Sequence, residues 1–386
     1  MTPPLSPEEE AHSRAVAALI RERARAAGGW MPFEQFMDLA LYAPGLGYYS
    51  AGSVKLGPAG DFVTAPEVSD LFSRCVARQC AQVLADGGEI FELGAGTGRM
   101  AAVILETLSA GGGTLPDRYA ILEVGADLAE RQRERLQKLP AGLRERVVWL
   151  DRLPERPIRG VILANEVLDA LPCRRFMLSS SKVRELGVAL EEDGAIRERD
   201  GAPDEALASA CAALLGELPA PLPDGYSSEL CLRIAPWIAG IGECLGRGVL
   251  LLFDYGLPRA HYYHPQRTTG TLRCHFKQRV HDDPYINIGV QDITAWVDFT
   301  QVAAAAAACG LGVSGFCTQA AFLLATGIEQ LLAQSTDPLE HARLAGEARR
   351  LLLPGEMGEA FKVMALTRDF DAAPDGFVLQ DLRQSL

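Results

Sequence analysis

The sequence predicts an α/β protein built on a mostly parallel sheet, preceded by a helical segment and interrupted by a large insertion. Three observations lead there. Short apolar runs alternate with helical stretches from Glu89 onward, the pattern of strands buried on both faces. The stretch FELGAGTGRM, residues 91–100, joins a strand to a helix through glycines, at the strand edge where open α/β sheets hold ligands. The chain has 386 residues, 48% of them hydrophobic, which suits one body with an insertion or two closely associated domains around a substantial core.

In chain order, Ser6-Pro7-Glu8-Glu9 reads as a capping box with proline at the first helical position. The helix it starts is expected to stop at Gly28-Gly29. MPFEQFMDLALY predicts a short helix, and the Gly- and Tyr-rich segment that follows predicts a loop ordered against something. A helix is expected from Asp70 to Ala85, a strand over Glu89–Leu93 and a helix over Arg99–Ser109. Tyr119–Val124, Val147–Leu150, Val161–Ala164 and Val249–Phe253 read as further strands, with a charged helix from Leu128 to Lys138. Between Leu171 and Gly246 the rhythm breaks into short meander strands (RRFMLSS, VRELGVAL, AIRERD) and a proline-rich turn, LPAPLPDG. WVDFTQVAAAAAACG predicts a helix, with LGVSGFC and FKVMAL as closing strands. The expected organisation is a covering segment over 1–86, a ligand-binding core begun over 87–170, an inserted lid over 171–247, and the rest of the core over 248–386 with an irregular substrate-facing insertion at 257–293.

Composition narrows the function. A formal charge of −13 with no Lys/Arg run disfavours nucleic acid, because duplex binding needs a basic face. The acidic balance fits a basic partner better. Nine scattered cysteines without a C-x-x-C pair suggest free thiols in a reducing compartment. No secretory leader is read in MTPPLSPEEE, and no apolar run approaches about 18 residues, so a cytoplasmic protein off the membrane is expected.

The glycine turn is the sharpest signal. A dinucleotide fingerprint needs G-x-G-x-x-G, but Arg99 stands where the third glycine would be, and the Lys-Ser/Thr of a phosphate-binding P-loop is missing. What remains suits S-adenosylmethionine: Gly94, Gly96 and Gly98 allow close main-chain approach, and the helix start favours a carboxylate. Glu92 is placed to meet the ligand's ammonium, Glu123 to accept both ribose hydroxyls, and Asp151 to accept from the adenine amine. Taken singly, the turn reads equally well as plain architecture and Glu123 as a helix-start carboxylate.

With LALYAPGLGYYS, GPAGDFVTAPEVS, FELGAGTGRM, ILANEVLDALP, FDYG and QRVHDDPYINIGVQDITAWVDFT, the chain resembles the MidA-like class I methyltransferases over nearly its whole length. That family includes the mitochondrial assembly factor that methylates an arginine of respiratory complex I. The resemblance implies a Rossmann-like seven-stranded sheet with its last strand antiparallel. It also implies an S-adenosylmethionine site closed by GDFVTAPE, with Asp61, Thr64 and Glu67 as candidates in that loop. The chain departs from the family's bacterial pattern at His261, Ile288-Gly289 and Trp296, in the expected substrate-facing region.

ILANEVLDALP puts Asn165 and Glu166 at a strand's carboxyl end beside the turn. Alignment of a nucleophile can lower a barrier by about 7–11 kcal/mol at best. A guanidinium is a poor nucleophile, and a carboxylate gripping two of its N–H groups fixes its plane. Glu166 is the first candidate for that grip and Asp169 the next, with Asn165 on the cofactor or the non-reacting nitrogen and Tyr255 packing the acceptor. Acidic residues starting a helix are the plain alternative for Glu166 and Asp169. His261, His264, His275, His281 and Cys274 lack metal-ligand spacing, so no metal is expected. The expected partner is a protein with an accessible arginine. A small-molecule methyltransferase and a non-catalytic assembly chaperone that binds the nucleoside are the rivals.

Overall fold

A computed structural model describes residues 3–51 and 63–386. Its centre is a sheet whose main path joins seven strands: β1 (Glu89–Leu93), β2 (Tyr119–Leu122), β3 (Val147–Leu150), β4 (Ile158–Asn165), β5 (Leu245–Leu257), β6 (Gly312–Thr318) and β7 (Phe361–Arg368). Their order is β6-β7-β5-β4-β1-β2-β3. β7 runs antiparallel to both of its neighbours, while the neighbouring pairs from β5 to β3 are parallel. The order reverses at β1, so the crevice above its carboxyl end is where a ligand is expected.

The apolar runs form strands because both of their faces are covered. In β5, Leu251 and Phe253 join a core with Phe72, Ile104 and Leu323 on one side, while Leu250 and Leu252 join Ile238, Val302 and Phe316 on the other. Alternation of side chains along a strand produces that split. The helix Asp70–Val83 lies in the first of these cores through Leu71, Phe72, Cys75 and Val76.

The N-terminal helix Pro7–Ala26 starts in the expected capping box: Ser6 N–H donates to Glu9 Oε2 (2.6 Å) and Glu9 N–H to Ser6 Oγ (3.2 Å). After it comes a strand that the sequence did not announce, Trp30–Pro32, and then the helix Phe33–Tyr42. That short strand pairs antiparallel with Lys182–Leu190. The segment is thereby built into a second sheet with Arg174–Ser179, Ser227–Leu230 and Ile196–Gly201. A helix, Glu205–Glu217, packs Leu207, Cys211 and Leu214 beneath it. The irregular stretch after β5 contributes a small sheet of Arg273–Phe276, Arg279–His281 and Asp292–Thr294. His281-Asp282-Asp283 forms a turn there, the Asp283 amide donating to His281 Nδ1 (3.3 Å). Among the described residues no helix is long and apolar enough to cross a membrane.

Candidate active site

A cavity of about 390 Å³ opens above the carboxyl ends of β1, β2 and β4, within the size range of small-molecule sites. Its floor is the turn after β1, where Gly94, Gly96 and Gly98 all have positive φ (63°, 54° and 76°). L-residues rarely adopt that region and glycine does so freely. Gly98 starts the helix Arg99–Ala110. Arg99, which displaced the dinucleotide reading, anchors the turn from outside: its Nε donates to Asp70 Oδ1 and its Nη1 to the Glu67 carbonyl, both at 2.8 Å. Thr97 donates to Glu67 Oε1. The turn is thus tied to the helix Ala65–Val68 (capped by Thr64), and Thr64 and Glu67 both line the cavity. Asp61 lies outside the described residues.

Glu92, at 1% exposure, lines the cavity and accepts from the Tyr119 hydroxyl (2.8 Å). Burial pushes its carboxyl up to about 7, against the stabilising hydrogen bond from Tyr119. Glu123 directly follows β2 and lines the same cavity. Its Oε1 accepts from the Gly125 amide (3.0 Å) and its Oε2 from Gln132 Nε2 (2.9 Å). Asp151 is not brought there: it is exposed, in a separate depression with Arg118 and Pro154.

Asn165 and Glu166 form the wall above β4. Glu166 has φ 53° although it is not a glycine, and its amide is held by the Phe253 carbonyl at 2.8 Å. Strain of this kind, about 1–3 kcal/mol, persists where surrounding structure fixes it and collects at functional sites. Burial, reinforced by the nearby Asp169, raises the Glu166 carboxyl to about 8. Asn165 Nδ2 donates to Glu166 Oε1 (3.2 Å). Asp169 and Tyr255 stand behind this wall, outside the cavity lining. The Tyr255 hydroxyl donates to Asp169 Oδ2, while Asp254 Oδ2 accepts from the Leu168 and Asp169 amides (3.0 and 3.2 Å) and fixes the turn. Burial raises Asp169 to about 6 and Asp254 well above the usual carboxylate range. His261, His281 and Trp296 are also absent from the cavity lining; Trp296 packs edge-on against Tyr255.

A further part of the lining was not singled out as a site in the sequence. Asp38, Tyr42, Tyr49, Arg233 and Trp237 supply it. The Tyr42 and Tyr49 rings stack at 5.4 Å, and their hydroxyls donate to the Ala170 carbonyl (3.0 Å) and Asp292 Oδ1 (2.8 Å). Arg233 bridges Glu34 and Asp38, each at 2.6 Å. The one advance signal, for Tyr49, is that APGLGYYSAGSVKLGPAGDFVTAPEVS is too aromatic for a disordered linker.

A parallel sheet in this order, with a bare glycine turn at the switch point and carboxylates on the tips of β1 and β2, defines a class I methyltransferase. A family model described as "Putative S-adenosyl-L-methionine-dependent methyltransferase" matches residues 75–317, and the chain belongs to this MidA-like family. It is 40% identical to a Burkholderia thailandensis protein crystallised with S-adenosyl-homocysteine, over 100% of both chains with a TM-score of 0.94. Among curated proteins it is 27% identical to the protein arginine methyltransferase NDUFAF7 homolog, mitochondrial, of Drosophila melanogaster, over 94% of this chain and 87% of that one. The identity is also 27% to the Homo sapiens NDUFAF7, over 86% and 79%. The cofactor is S-adenosylmethionine, and the site fits it: the turn leaves room for main-chain approach, and buried Glu92 is a carboxyl whose ionised form a ligand cation would stabilise.

Proposed function

We propose that this S-adenosylmethionine-dependent methyltransferase methylates an arginine side chain of a partner protein. By family resemblance the acceptor is a subunit of respiratory complex I or of a similar assembly. In this reading Glu92 holds the cofactor's ammonium, the glycine turn its methionine portion and Glu123 its ribose. When bound, the cofactor supplies an electrophilic methyl on a sulfonium that departs as a neutral thioether.

The observation that carries the proposal is Glu166, a strained carboxyl on the cavity wall with the carboxyls of Asp169 and Asp292 near it. Its polar partners are the Asn165 amide and the Ala65 main-chain N–H, neither of them a cation, which leaves the charge of its ionised form to be met by an incoming one. A guanidinium carries that charge and presents paired N–H donors. Glu166 fixes its plane, and the aromatic pair Tyr42–Tyr49 in the same lining confines it. The names of the curated relatives support the same acceptor class.

The test is transfer of labelled methyl from S-adenosylmethionine to protein extracts, followed by mass spectrometry of the modified residue. Methylarginine is expected; label confined to lysine or to small molecules would overturn the acceptor. Glu166→Gln is expected to keep S-adenosylhomocysteine affinity within about threefold and lose roughly a hundredfold or more in transfer. With its carboxyl raised to about 8, kcat/KM for the acceptor should climb with pH and level above that value, because only the ionised form grips a cation.

A further inference from the structure

Gln132 lies in ADLAERQRERL, the helix Ala126–Leu136, and is fully buried at 0% exposure. A buried amide needs partners for both of its ends, and this one finds them on three strand tips. Its Nε2 donates to the Gly96 carbonyl (3.0 Å) and to Glu123 Oε2 (2.9 Å). Its Oε1 accepts from the Trp149 indole N–H (3.0 Å). Trp149 belongs to β3 and can only donate, so it sets which end of the amide faces Glu123. The contact with the turn is close: a Cβ on Gly98 would stand 3.3 Å from Gln132 Cα.

We propose that Gln132 is the positioning residue of the cofactor cradle, fixing the Glu123 carboxylate for a vicinal diol and holding the glycine turn against it. The proposal rests on the reading of Glu123 as the ribose acceptor. Gln132 and the Gly125 amide each take one carboxylate oxygen. The plane of the group is then set before ligand arrives, and a carboxylate oxygen with two lone pairs accepts from a ribose hydroxyl alongside such a tether. Without the amide, Glu123 Oε2 loses its Gln132 tether while Oε1 keeps the Gly125 amide, and the Gly96 carbonyl loses its side-chain partner. Recognition of the sugar is lost while the apolar contacts to the rest of the ligand persist.

The experiment is calorimetric titration of the full chain with S-adenosylhomocysteine and with its 2′-deoxy analogue. The wild type should bind the deoxy analogue about tenfold or more weakly, the loss of one charge-assisted hydrogen bond. Gln132→Met, similar in shape and without the hydrogen bonds, should weaken the parent ligand about tenfold and reduce the ratio between the two ligands to roughly threefold or less. Trp149→Phe removes only the donor to Oε1 and should lower the same ratio at least about twofold; it decides the matter if the methionine variant fails to fold. A purely structural role would lower the melting temperature and leave the ratio intact. An unchanged ratio in these variants overturns the proposal and leaves Glu123 in place, whereas equal binding of both ligands by the wild type overturns both.

Discussion

Glu92 shows how one residue links the fold to solution conditions. Its neighbours in β1 are apolar and it is as buried as they are, yet it is ionisable with a carboxyl raised to about 7. Relative to an ordinary carboxylate near 4.5, the raised value means that the free protein holds a proton the unfolded chain would have released. The corresponding stability is present below the ordinary value and is lost as pH rises through about 7. A ligand ammonium favours the ionised form, so binding expels that proton. The affinity for S-adenosylhomocysteine should therefore rise about tenfold between pH 6 and pH 8 and then level. Calorimetry across that range checks it, and Glu92→Gln should flatten the curve at the weaker affinity. A wild-type curve that is already flat would remove the ammonium from Glu92.

At the level of elements, the strand–turn–helix from β1 through Arg99–Ala110 carries the floor of the cavity. Its conformation is one that side chains resist. Gly96→Val places a β-branched residue at φ 54° and should weaken S-adenosylhomocysteine more than about a hundredfold, through backbone rearrangement and a blocked approach. Arg99→Ala is the milder counterpart, because the arginine is a quarter exposed and the Asp70 it pairs with is half exposed. It should cost roughly 1 kcal/mol of stability and a few-fold in affinity, read by denaturant titration and calorimetry together. These elements were legible in the sequence because strands buried on both faces leave unbroken apolar runs, as VLLLF does in β5. That Glu92, Glu123, Asn165 and Glu166 line one cavity was legible because a strand end followed by glycine or a polar pair fixes where a side chain emerges. Trp30–Pro32 is too short to show a period. The alanine-rich helix Glu205–Glu217 was missed although Leu207, Cys211 and Leu214 keep helical spacing. The helices between β6 and β7 were also unassigned. Gln132 lay hidden in ERQRERL, which reads as a solvated face; only the fold brings Trp149 and Gly96 against it.

At the scale of the molecule, the cavity is closed by parts of the chain remote from its floor. Asp38, Tyr42 and Tyr49 come from the N-terminal segment, and besides the two tyrosine hydroxyls, Arg21, Trp30 and Glu9, two stronger ties hold that segment to residues far along the chain. One is Arg233 on Glu34 and Asp38. The other is the pairing of Trp30–Pro32 with Lys182–Leu190, continued by the Leu190 amide on the Gly29 carbonyl (3.0 Å). The second tie depends on a missing side chain: a Cβ at Gly187 would stand 2.4 Å from the Met31 carbonyl oxygen and 2.4 Å from the Trp30 ring. Main chain and indole are both packed there, so neither yields cheaply, and Gly187→Val should lift the strand from the sheet edge. Overpacking of this kind costs about 1–3 kcal/mol, enough to detach a three-residue strand while the large sheet stays folded. Limited proteolysis should then cut within the first 51 residues much faster than in the wild type. Methyl transfer should fall about tenfold or more as Tyr42 and Tyr49 lose their places in the cavity wall. The affinity for S-adenosylhomocysteine should fall less, because the turn, Glu92 and Glu123 all stand on the large sheet. Equal losses in binding and transfer would show instead that the segment serves the cofactor as much as the acceptor, and the wall formed by the two tyrosines would have to be reassigned.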